Sequence, residues 1–354
     1  MDSDVEKQIE IVKEFKIDGI EEIGEKIIGI GGYGFVTEIK LKNGKKFAAK
    51  LIKKEKLDET EHICEFKGSH IVNVHKVDNK IINGEQYSLI IMEKAILKDL
   101  TKLNHELFSN TIYNLIISPP FEGKVGDNLL RFFAYQIILG FETLDRNDYS
   151  HFDIKPDNIL ICRNMMLKLS DFSLLRKPED MKVKNNTKNV KIPGGTTGYL
   201  TPEYYQNKVV PLYIAKKQDY FALGATLYKL KYMKDMLPYK KYKDNLMTAE
   251  FIIELLQRAI NVIQSKTNNT DKDFVCFLCS LIKYDPNERP NFEEIYRNKW
   301  VNKNRSHLNT IYTTNYEDEE KLIMELNKSD FLLDKRKELK KSSHKYIFKR
   351  IHTK

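Results

Sequence analysis

Residues 151–160 read HFDIKPDNIL, and the triplet DFS follows at 171–173. In the first segment Asp153 could accept a hydroxyl proton, and Lys155 could neutralise a moving phosphoryl group. Asn158 and Asp171 carry hard oxygen atoms, which are the ligands that Mg²⁺ prefers. Each of these side chains on its own is more often a solvated loop residue. Their order along the chain, taken with the segments described next, favours a common site.

A glycine-rich segment lies upstream of these residues. Residues 29–36 read GIGGYGFV, and Gly29, Gly31 and Gly34 would let backbone amides approach phosphate oxygens. A dinucleotide-binding fold also uses this glycine spacing, but it needs a helix directly after the glycines, whereas here a strand hairpin is predicted. Lys50 lies on the return strand of that hairpin and is the candidate cation for the phosphates, although a lone strand lysine is usually solvated.

The two halves of the chain show different periodicities. Short apolar runs around Asn-Gly pairs at 43–44 and 83–84 predict two β-hairpins, with a short helical candidate at 58–66 between them. From about residue 127 apolar residues recur every four positions, which predicts a long helix. Further helices are predicted at 218–230, 249–263 and 273–282. The stretch 176–195 is rich in Lys, Asn and Gly and predicts a loop.

Taken in order, these motifs resemble those of the eukaryotic protein-kinase family, over about residues 21–301. The resemblance implies an α+β, bilobal fold, with a small antiparallel-β N-lobe carrying one helix at about 21–95 and a larger α-helical C-lobe at about 96–301. Residues 1–20 would then be an N-terminal extension and 302–354 a C-terminal tail.

Three further positions match the family one by one. Residues 195–203 read GTTGYLTPE, which resembles the end of the activation segment. Asp219 resembles the helix aspartate that holds the catalytic-loop backbone. Arg289 resembles the arginine that pairs with a glutamate of the activation segment, here Glu203. Thr196 is expected to contact the catalytic loop.

The resemblance implies transfer of the γ-phosphoryl group of ATP to a protein Ser or Thr hydroxyl, with Mg²⁺ as the metal and Mn²⁺ as its alternative. Asp153 would align the substrate hydroxyl and accept its proton. Lys155 would offset charge on the transferred phosphoryl group, and Asn158 and Asp171 would bind the metal. Lysine two positions after the catalytic aspartate is the pattern of the family's Ser/Thr members.

The nucleotide would lie between the glycine segment and a hinge. Lys50 would orient the phosphates, held by Glu59; the alternative, Glu61, fits less well because the residue four positions after Glu59 is the apolar Ile63, on the same helix face. The remaining contacts implied by the resemblance are Val36, Ala48 and Leu160 around the adenine, Met92 as gatekeeper, and backbone groups of Glu93 and Ala95 at the hinge.

Two departures from the family bear on activity. His-Phe-Asp replaces His-Arg-Asp, and Phe152 cannot receive an activation-loop phosphate as the arginine does. Ser173 replaces the glycine of Asp-Phe-Gly and lacks the φ freedom of glycine. Since Lys50, Asp153 and the metal ligands are all present, an active kinase is favoured over the alternative, a catalytically weak or dead pseudokinase that binds nucleotide as a scaffold.

Composition limits the remaining classes of function. The 354 residues carry a net charge of +9 and only four cysteines, which argues against a disulfide framework and for a reducing compartment. No stretch approaches the roughly 18 apolar residues that a membrane span needs, and the acidic, polar N-terminus does not resemble a secretory signal. We therefore expect an intracellular protein, of the cytoplasm or the nucleus.

The positive charge is concentrated at the C-terminal end. Residues 335–354 hold nine Lys or Arg and one acid, Glu338, so they carry a net +8 of the total +9. Tyr346 and Phe348 lie among these basic residues, between Lys345 and Lys349. A solvated tail is the default expectation, and binding to nucleic acid, to an anionic membrane surface or to the kinase domain itself is the alternative.

Overall fold

A computed structural model describes residues 3–17, 19–31, 34–54, 63–64, 67–95, 97–101, 125–162, 166–183, 186–206, 209–232, 235–237, 248–265 and 271–303. The predicted Lys50 partner, Glu59, and the basic segment 335–354 lie outside these ranges, so both stay predictions. Within the ranges, no helix is both long enough and apolar enough to cross a membrane.

The first part of the chain forms a helix and one antiparallel sheet. The elements are α1 (Ser3–Glu14), β1 (Ile20–Gly31), β2 (Gly34–Leu41), β3 (Lys46–Lys54), β4 (Val74–Ile82) and β5 (Glu85–Glu93). The strand order is β1-β2-β3-β5-β4. Both predicted hairpins are confirmed: Gly44, Asn83 and Gly84 have φ values of 77°, 53° and 79°, the left-handed conformation that tight hairpin turns favour.

The two faces of this sheet pack against different parts of the protein. Strand register places Val36 opposite Lys50 and Ala48 opposite Met92. Because directly opposed residues share a sheet face, this pairing gathers candidate nucleotide contacts on the side that packs against the rest of the domain.

Helix α1 covers the opposite face. Its Ile9 and Val12, with Phe15 just beyond its end, are buried in one cluster with strand residues that include Leu89 and Ile91. The Lys80 ammonium also donates to the backbone carbonyl of Glu14 at 2.5 Å. Helix α1 is therefore packed onto the sheet.

The second part of the chain is mostly helical, as the periodicity predicts. Its elements are β6 (Leu97–Asp99), α2 (Val125–Arg146), β7 (Ile159–Ile161), β8 (Leu167–Leu169), β9 (Lys182–Val183), β10 (Asn186–Lys191), α3 (Pro202–Gln206), β11 (Val209–Pro211), α4 (Leu212–Ala215), α5 (Lys217–Tyr232), α6 (Ala249–Ser265), α7 (Lys272–Leu281), α8 (Phe292–Tyr296) and α9 (Lys299–Asn302). Helices α2, α5, α6 and α7 correspond to the four predicted helices. Strands β6, β7 and β8 form a small antiparallel sheet that carries the candidate catalytic loops at its ends.

The prediction of a loop over residues 176–195 is wrong for part of that stretch. Strands β9 and β10 pair with each other, and β10 pairs with β11, to form a third antiparallel sheet. Lys and Asn have low strand propensity, so the composition concealed the strand. The pairing is stabilised by tertiary packing instead, since Val190 lies opposite Val210 and is fully buried.

We expect Phe15→Ala to lower the free energy of unfolding by about 3–5 kcal/mol, the usual cost of removing a buried phenylalanine side chain. Denaturant titration followed by fluorescence measures the change. Glu6→Ala, on the exposed side of α1, is the matched control and should be nearly neutral. Equal stability of the two variants would show that α1 does not pack on the sheet.

Candidate active site

A buried carboxylate shapes the catalytic loop. Asp219, near the start of α5, accepts hydrogen bonds from the backbone N–H of His151 at 2.6 Å and of Phe152 at 2.8 Å. Full burial raises the pKa of Asp219, and His151 and the two backbone donors offset part of that effect. The predicted role of Asp219 in holding this backbone is confirmed. The loop passes through a left-handed residue here, with Phe152 at φ 63°.

Asp153 follows directly and lies at the centre of a hydrogen-bond network. One carboxylate oxygen accepts from the backbone N–H of Thr196 at 2.8 Å and from its hydroxyl at 2.6 Å. The other accepts from the Lys155 ammonium at 2.8 Å and from the Asn158 amide at 2.9 Å. Lys155 also donates to the Thr196 hydroxyl at 2.5 Å. The expected contact of Thr196 with the catalytic loop is thus confirmed.

The charge state of Asp153 follows from these contacts. Burial alone would raise the pKa of the carboxyl, but the Lys155 ammonium and the Thr196 hydroxyl outweigh burial, and the pKa lies below its ordinary value. Asp153 is therefore an anion at neutral pH, able to accept a hydrogen bond from an incoming hydroxyl.

Lys50 on β3 reaches across to Asp171, with 2.5 Å between the ammonium and the carboxylate. Both side chains are largely buried, so loss of either would leave an uncompensated charge. The hydroxyl of Ser173 donates to the same oxygen of Asp171 at 2.9 Å. Burial raises the pKa of Asp171, while Lys50 and Ser173 lower it by more, so the group is held ionised.

The Asp-Phe-Ser turn accommodates serine without strain at that position. The left-handed residue is Asp171, with φ 58°, and Ser173 lies in a short 3₁₀ helix, Phe172–Leu174. The Phe172 ring packs 5.6 Å from the His151 ring, and Ile63 is buried in the same large cluster. The hydrogen bond from the Ser173 hydroxyl to Asp171 could not be expected from the sequence.

The donor set suits a hard divalent cation. The Asn158 amide nitrogen donates to the Asp153 carbonyl and carboxylate. The side-chain oxygen of Asn158 is therefore the atom that would bind a metal. Asp171 adds a carboxylate. The described residues contain no cluster of three or more His, Cys, Asp or Glu that could bind a metal by themselves, so phosphate and water oxygens would have to complete a six-coordinate shell.

Asn158 is held in place from its backbone side. Ser170 donates from both its N–H and its hydroxyl to the Asn158 carbonyl, at 2.9 and 3.0 Å, and the Ser170 carbonyl lies 2.9 Å from the His151 ring nitrogen Nε2. Sequence reasoning missed Ser170. Its position directly before Asp171 was the available signal.

The candidate adenine contacts are brought together by packing. Ala48 and Met92 are buried in the large cluster, with the half-buried Val36 and Leu160 packed against it. Leu160 lies on β7 opposite Lys168 of β8, and the Lys168 ammonium binds Glu93 at the end of β5.

Glu93, at the end of β5, binds residues of two other segments through its carboxylate. Its carboxylate accepts from the Lys168 ammonium at 2.6 and 2.8 Å and from the Asn73 N–H at 2.6 Å. The Glu93 N–H donates to the Asn73 carbonyl at 2.9 Å. This backbone donor therefore already has a hydrogen-bond acceptor within the protein. Ala95 follows β5 as a half-buried residue.

The glycine segment spans the β1–β2 turn, with β1 ending at Gly31 and β2 beginning at Gly34. A Cβ atom at Gly34 would lie 2.0 Å from the Leu51 carbonyl oxygen, whereas one at Gly29 would meet only ordinary contact with Val36 at 3.7 Å. The close approach of β3 thus requires a glycine at position 34. This requirement holds whether or not the residue also contacts phosphate.

The predicted pair at the end of the activation segment is confirmed. Arg289 binds Glu203 through two bonds, at 2.6 and 2.8 Å, and donates to the carbonyls of Lys283 and Tyr284. Its guanidinium stacks 4.9 Å from the Phe221 ring centre. This buried pair fixes the far end of the segment that carries Thr196.

Comparison with known proteins agrees with this geometry. A family model described as the protein kinase domain matches residues 23–301. The serine/threonine-protein kinase MRCK alpha of Homo sapiens is 30% identical over 223 residues, which cover 58% of this chain and 11% of that protein. The calcium/calmodulin-dependent protein kinase kinase cmkC of Emericella nidulans is 31% identical over 178 residues, covering 50% of this chain and 32% of that protein.

A G-type lectin S-receptor-like serine/threonine-protein kinase of Arabidopsis thaliana is 30% identical over 210 residues, which cover 58% of this chain and 24% of that protein. The matched part therefore spans a third or less of each of these relatives' own length. The family model, by contrast, accounts for most of this chain. The chain belongs to the protein kinase family.

Proposed function

We propose that the chain is an ATP-dependent protein serine/threonine kinase, which transfers the γ-phosphoryl group of Mg-ATP to a protein Ser or Thr hydroxyl. The observation that carries the proposal is the convergence of two ionised carboxylates, Asp153 and Asp171, from separate loops, each paired with a lysine. The relatives are two serine/threonine-protein kinases and a calcium/calmodulin-dependent protein kinase kinase, which supports the same class of reaction.

The proposed roles follow from the contacts of each side chain. Asn158 and Asp171 would hold Mg²⁺, or Mn²⁺ in its place, which offsets negative charge on the phosphates. The backbone at Gly29, Gly31 and Gly34 would cover those phosphates, and Lys50 would orient them, with Glu59 as its proposed partner.

At the acceptor, the protein hydroxyl would replace the Thr196 hydroxyl as a donor to Asp153. As the hydroxyl oxygen attacks the γ-phosphorus, its proton passes to Asp153 and ADP leaves. Lys155 lies against Asp153 and would neutralise charge on the transferred group. The proposed adenine contacts are Val36, Ala48, Met92, Glu93, Ala95 and Leu160.

Two ion pairs of the site, Lys50 with Asp171 and Lys155 with Asp153, favour a kinase over a nucleotide-binding pseudokinase. The two are separated by transfer of radiolabelled phosphate to a generic basic protein, measured in Mg²⁺ and in Mn²⁺. We expect Asp153→Asn to lower kcat by about 100-fold or more, the usual contribution of a positioned base.

Asp148→Asn is the matched control, since it makes the same substitution at an exposed turn three residues before His151 and should leave kcat unchanged. Equal activity of wild type and Asp153→Asn, or no transfer by the wild type with either metal, would contradict the kinase proposal.

Removal of a metal ligand tests the nucleotide site separately. We expect Asp171→Asn to abolish the Mg²⁺-dependent part of ATP binding, because it removes a carboxylate ligand and the partner of Lys50. Titration with a fluorescent ATP analogue, with and without Mg²⁺, measures this. If the variant and the Asp148→Asn control respond to Mg²⁺ alike, Asp171 is not the metal ligand.

The pH dependence of kcat tests the role of Lys155. Burial would raise the pKa of Asp153, and Lys155 is the main group that opposes it, so Lys155→Met should raise that pKa. The carboxylate would then be protonated at a higher pH, and the acid limb of the kcat profile should move to higher pH. An unmoved acid limb would mean that Asp153 does not control it.

A further inference from the structure

Leu51 follows Lys50 on β3 and touches two other parts of the N-lobe. Its side chain is 3% exposed and lies in the apolar cluster under α1. That cluster is the one that contains Ile9, Val12 and Phe15. The backbone carbonyl oxygen of Leu51 lies so close to Gly34 that a Cβ atom there would approach it to 2.0 Å. Leu51 therefore connects α1 with two groups proposed to bind phosphates, the Lys50 ammonium and the Gly34 backbone.

Strand register shows which part of the cleft lies behind α1. Three residues directly opposite one another on β2, β3 and β5 all belong to the cluster under α1, namely Phe35, Leu51 and Leu89. Ala49, two positions before Leu51 on β3, belongs to the same cluster. Because side chains alternate along a strand, Lys50 between them points to the other face, where it binds Asp171. Helix α1 thus lies behind the section of β3 that carries Lys50.

The C-terminal end of α1 is fixed near the same section of the sheet. The Lys80 ammonium donates to the Glu14 carbonyl at 2.5 Å. Lys80 lies opposite Tyr87, and Tyr87 lies opposite Lys53, two residues beyond Leu51. The hydrogen bond that holds the end of α1 is therefore made at a strand position two residues from Leu51, at the end of the sheet that carries the glycine segment.

Packing under α1 reaches the proposed phosphate site through short connections. Lys50 is 6% exposed and its ammonium lies 2.5 Å from the Asp171 carboxylate, so a shift of β3 moves the ammonium relative to that group. Gly34 has no side chain that could yield between β2 and the Leu51 carbonyl. Because close-packed interiors transmit displacements, loss of packing on Leu51 should disturb both groups.

The candidate adenine contacts pack elsewhere. Ala48 and Met92 lie opposite each other in the large cluster that joins the two lobes, and Val36 and Leu160 pack against that cluster. Adenosine, which carries the adenine but no phosphates, is therefore a probe of the cleft that should not respond to the packing of α1.

We propose that Leu51 is a positioning residue, through which α1 sets the affinity of the cleft for the phosphates of ATP. Docked α1 holds the Leu51 side chain, and Leu51 in turn holds Lys50 and Gly34 where the phosphates bind. The identity of the ligand rests on the proposed kinase function. Helix α1 then acts on the nucleotide site without touching the nucleotide.

The experiment measures the affinities for Mg-ATP and for adenosine side by side. Calorimetric titration of the full chain with each ligand gives the two Kd values. The variants are Leu51→Ala, the conservative Leu51→Met, and Val12→Ala within α1. Ile82→Ala is the matched control, since it removes a side chain from the same cluster at the turn of the β4–β5 hairpin. Urea unfolding confirms that each variant is folded under the conditions of the titration.

We expect Leu51→Ala to raise the Kd for Mg-ATP by about tenfold or more, because fewer molecules hold Lys50 and Gly34 in the binding arrangement. Val12→Ala leaves β3 unaltered and should raise this Kd by about threefold or more for the same reason. Leu51→Met conserves side-chain volume and should recover most of the loss.

The Kd for adenosine should stay within about twofold of wild type in every variant, because the adenine contacts lie in a separate cluster. Ile82→Ala should change neither affinity. If Leu51→Ala does not fold, Val12→Ala and Leu51→Met carry the comparison.

An unchanged ratio of the two affinities in Leu51→Ala and Val12→Ala would overturn the proposal. An equal change of that ratio in Ile82→Ala would overturn it too, because the effect would then follow any loss of packing in the cluster. The kinase function fails separately. A wild type that binds Mg-ATP but transfers no phosphate would contradict that function, while the ratio of affinities would still decide the role of Leu51. A wild type that does not bind Mg-ATP would overturn both.

Discussion

The geometry of the site depends on the buried carboxylate of Asp219, which accepts hydrogen bonds from two backbone N–H groups of the catalytic loop. A left-handed residue other than glycine costs about 1–2 kcal/mol, and the bonds to His151 and Phe152 compensate for it at Phe152. That turn sends adjacent side chains into different surroundings. Phe152 enters an apolar cluster, and Asp153 enters the polar network of the cleft. Without the turn, the catalytic loop could not contact the activation segment and the acceptor at once.

The two lobes are joined by two kinds of contact with different properties. At the back, Val72 N–H donates to the Leu169 carbonyl and Leu169 N–H to the His70 carbonyl, both at 2.9 Å, so the chain before β4 is fixed to β8 by backbone bonds. At the front, the Lys50–Asp171 ion pair joins groups that phosphates and a metal would bind instead. Under the proposed function, nucleotide would compete for the front contact, whereas the backbone bonds at the back involve no group that binds it.

Residues whose role depends on chemistry could be predicted from the sequence, whereas contacts that depend on packing could not. The ordered motifs located Asp153, Asn158, Asp171 and the Arg289–Glu203 pair, because each needs a particular functional group at a particular spacing. Strand β10 was hidden, since its lysines and asparagines disfavour a strand and only the burial of Val190 against Val210 explains it. The Glu93–Lys168 pair was hidden too, because nothing local relates residues on separate strands.

The helix at the N-terminal end has a consequence for how the protein is made. Ile9, Val12 and Phe15 leave the ribosome well before Leu89 and Ile91, the strand residues against which they pack. Until that strand has emerged, the apolar side of α1 has no native surface to cover. Completion of the N-lobe sheet, rather than local helix propensity, therefore sets the moment at which the apolar side of α1 is covered and protected from aggregation and proteolysis.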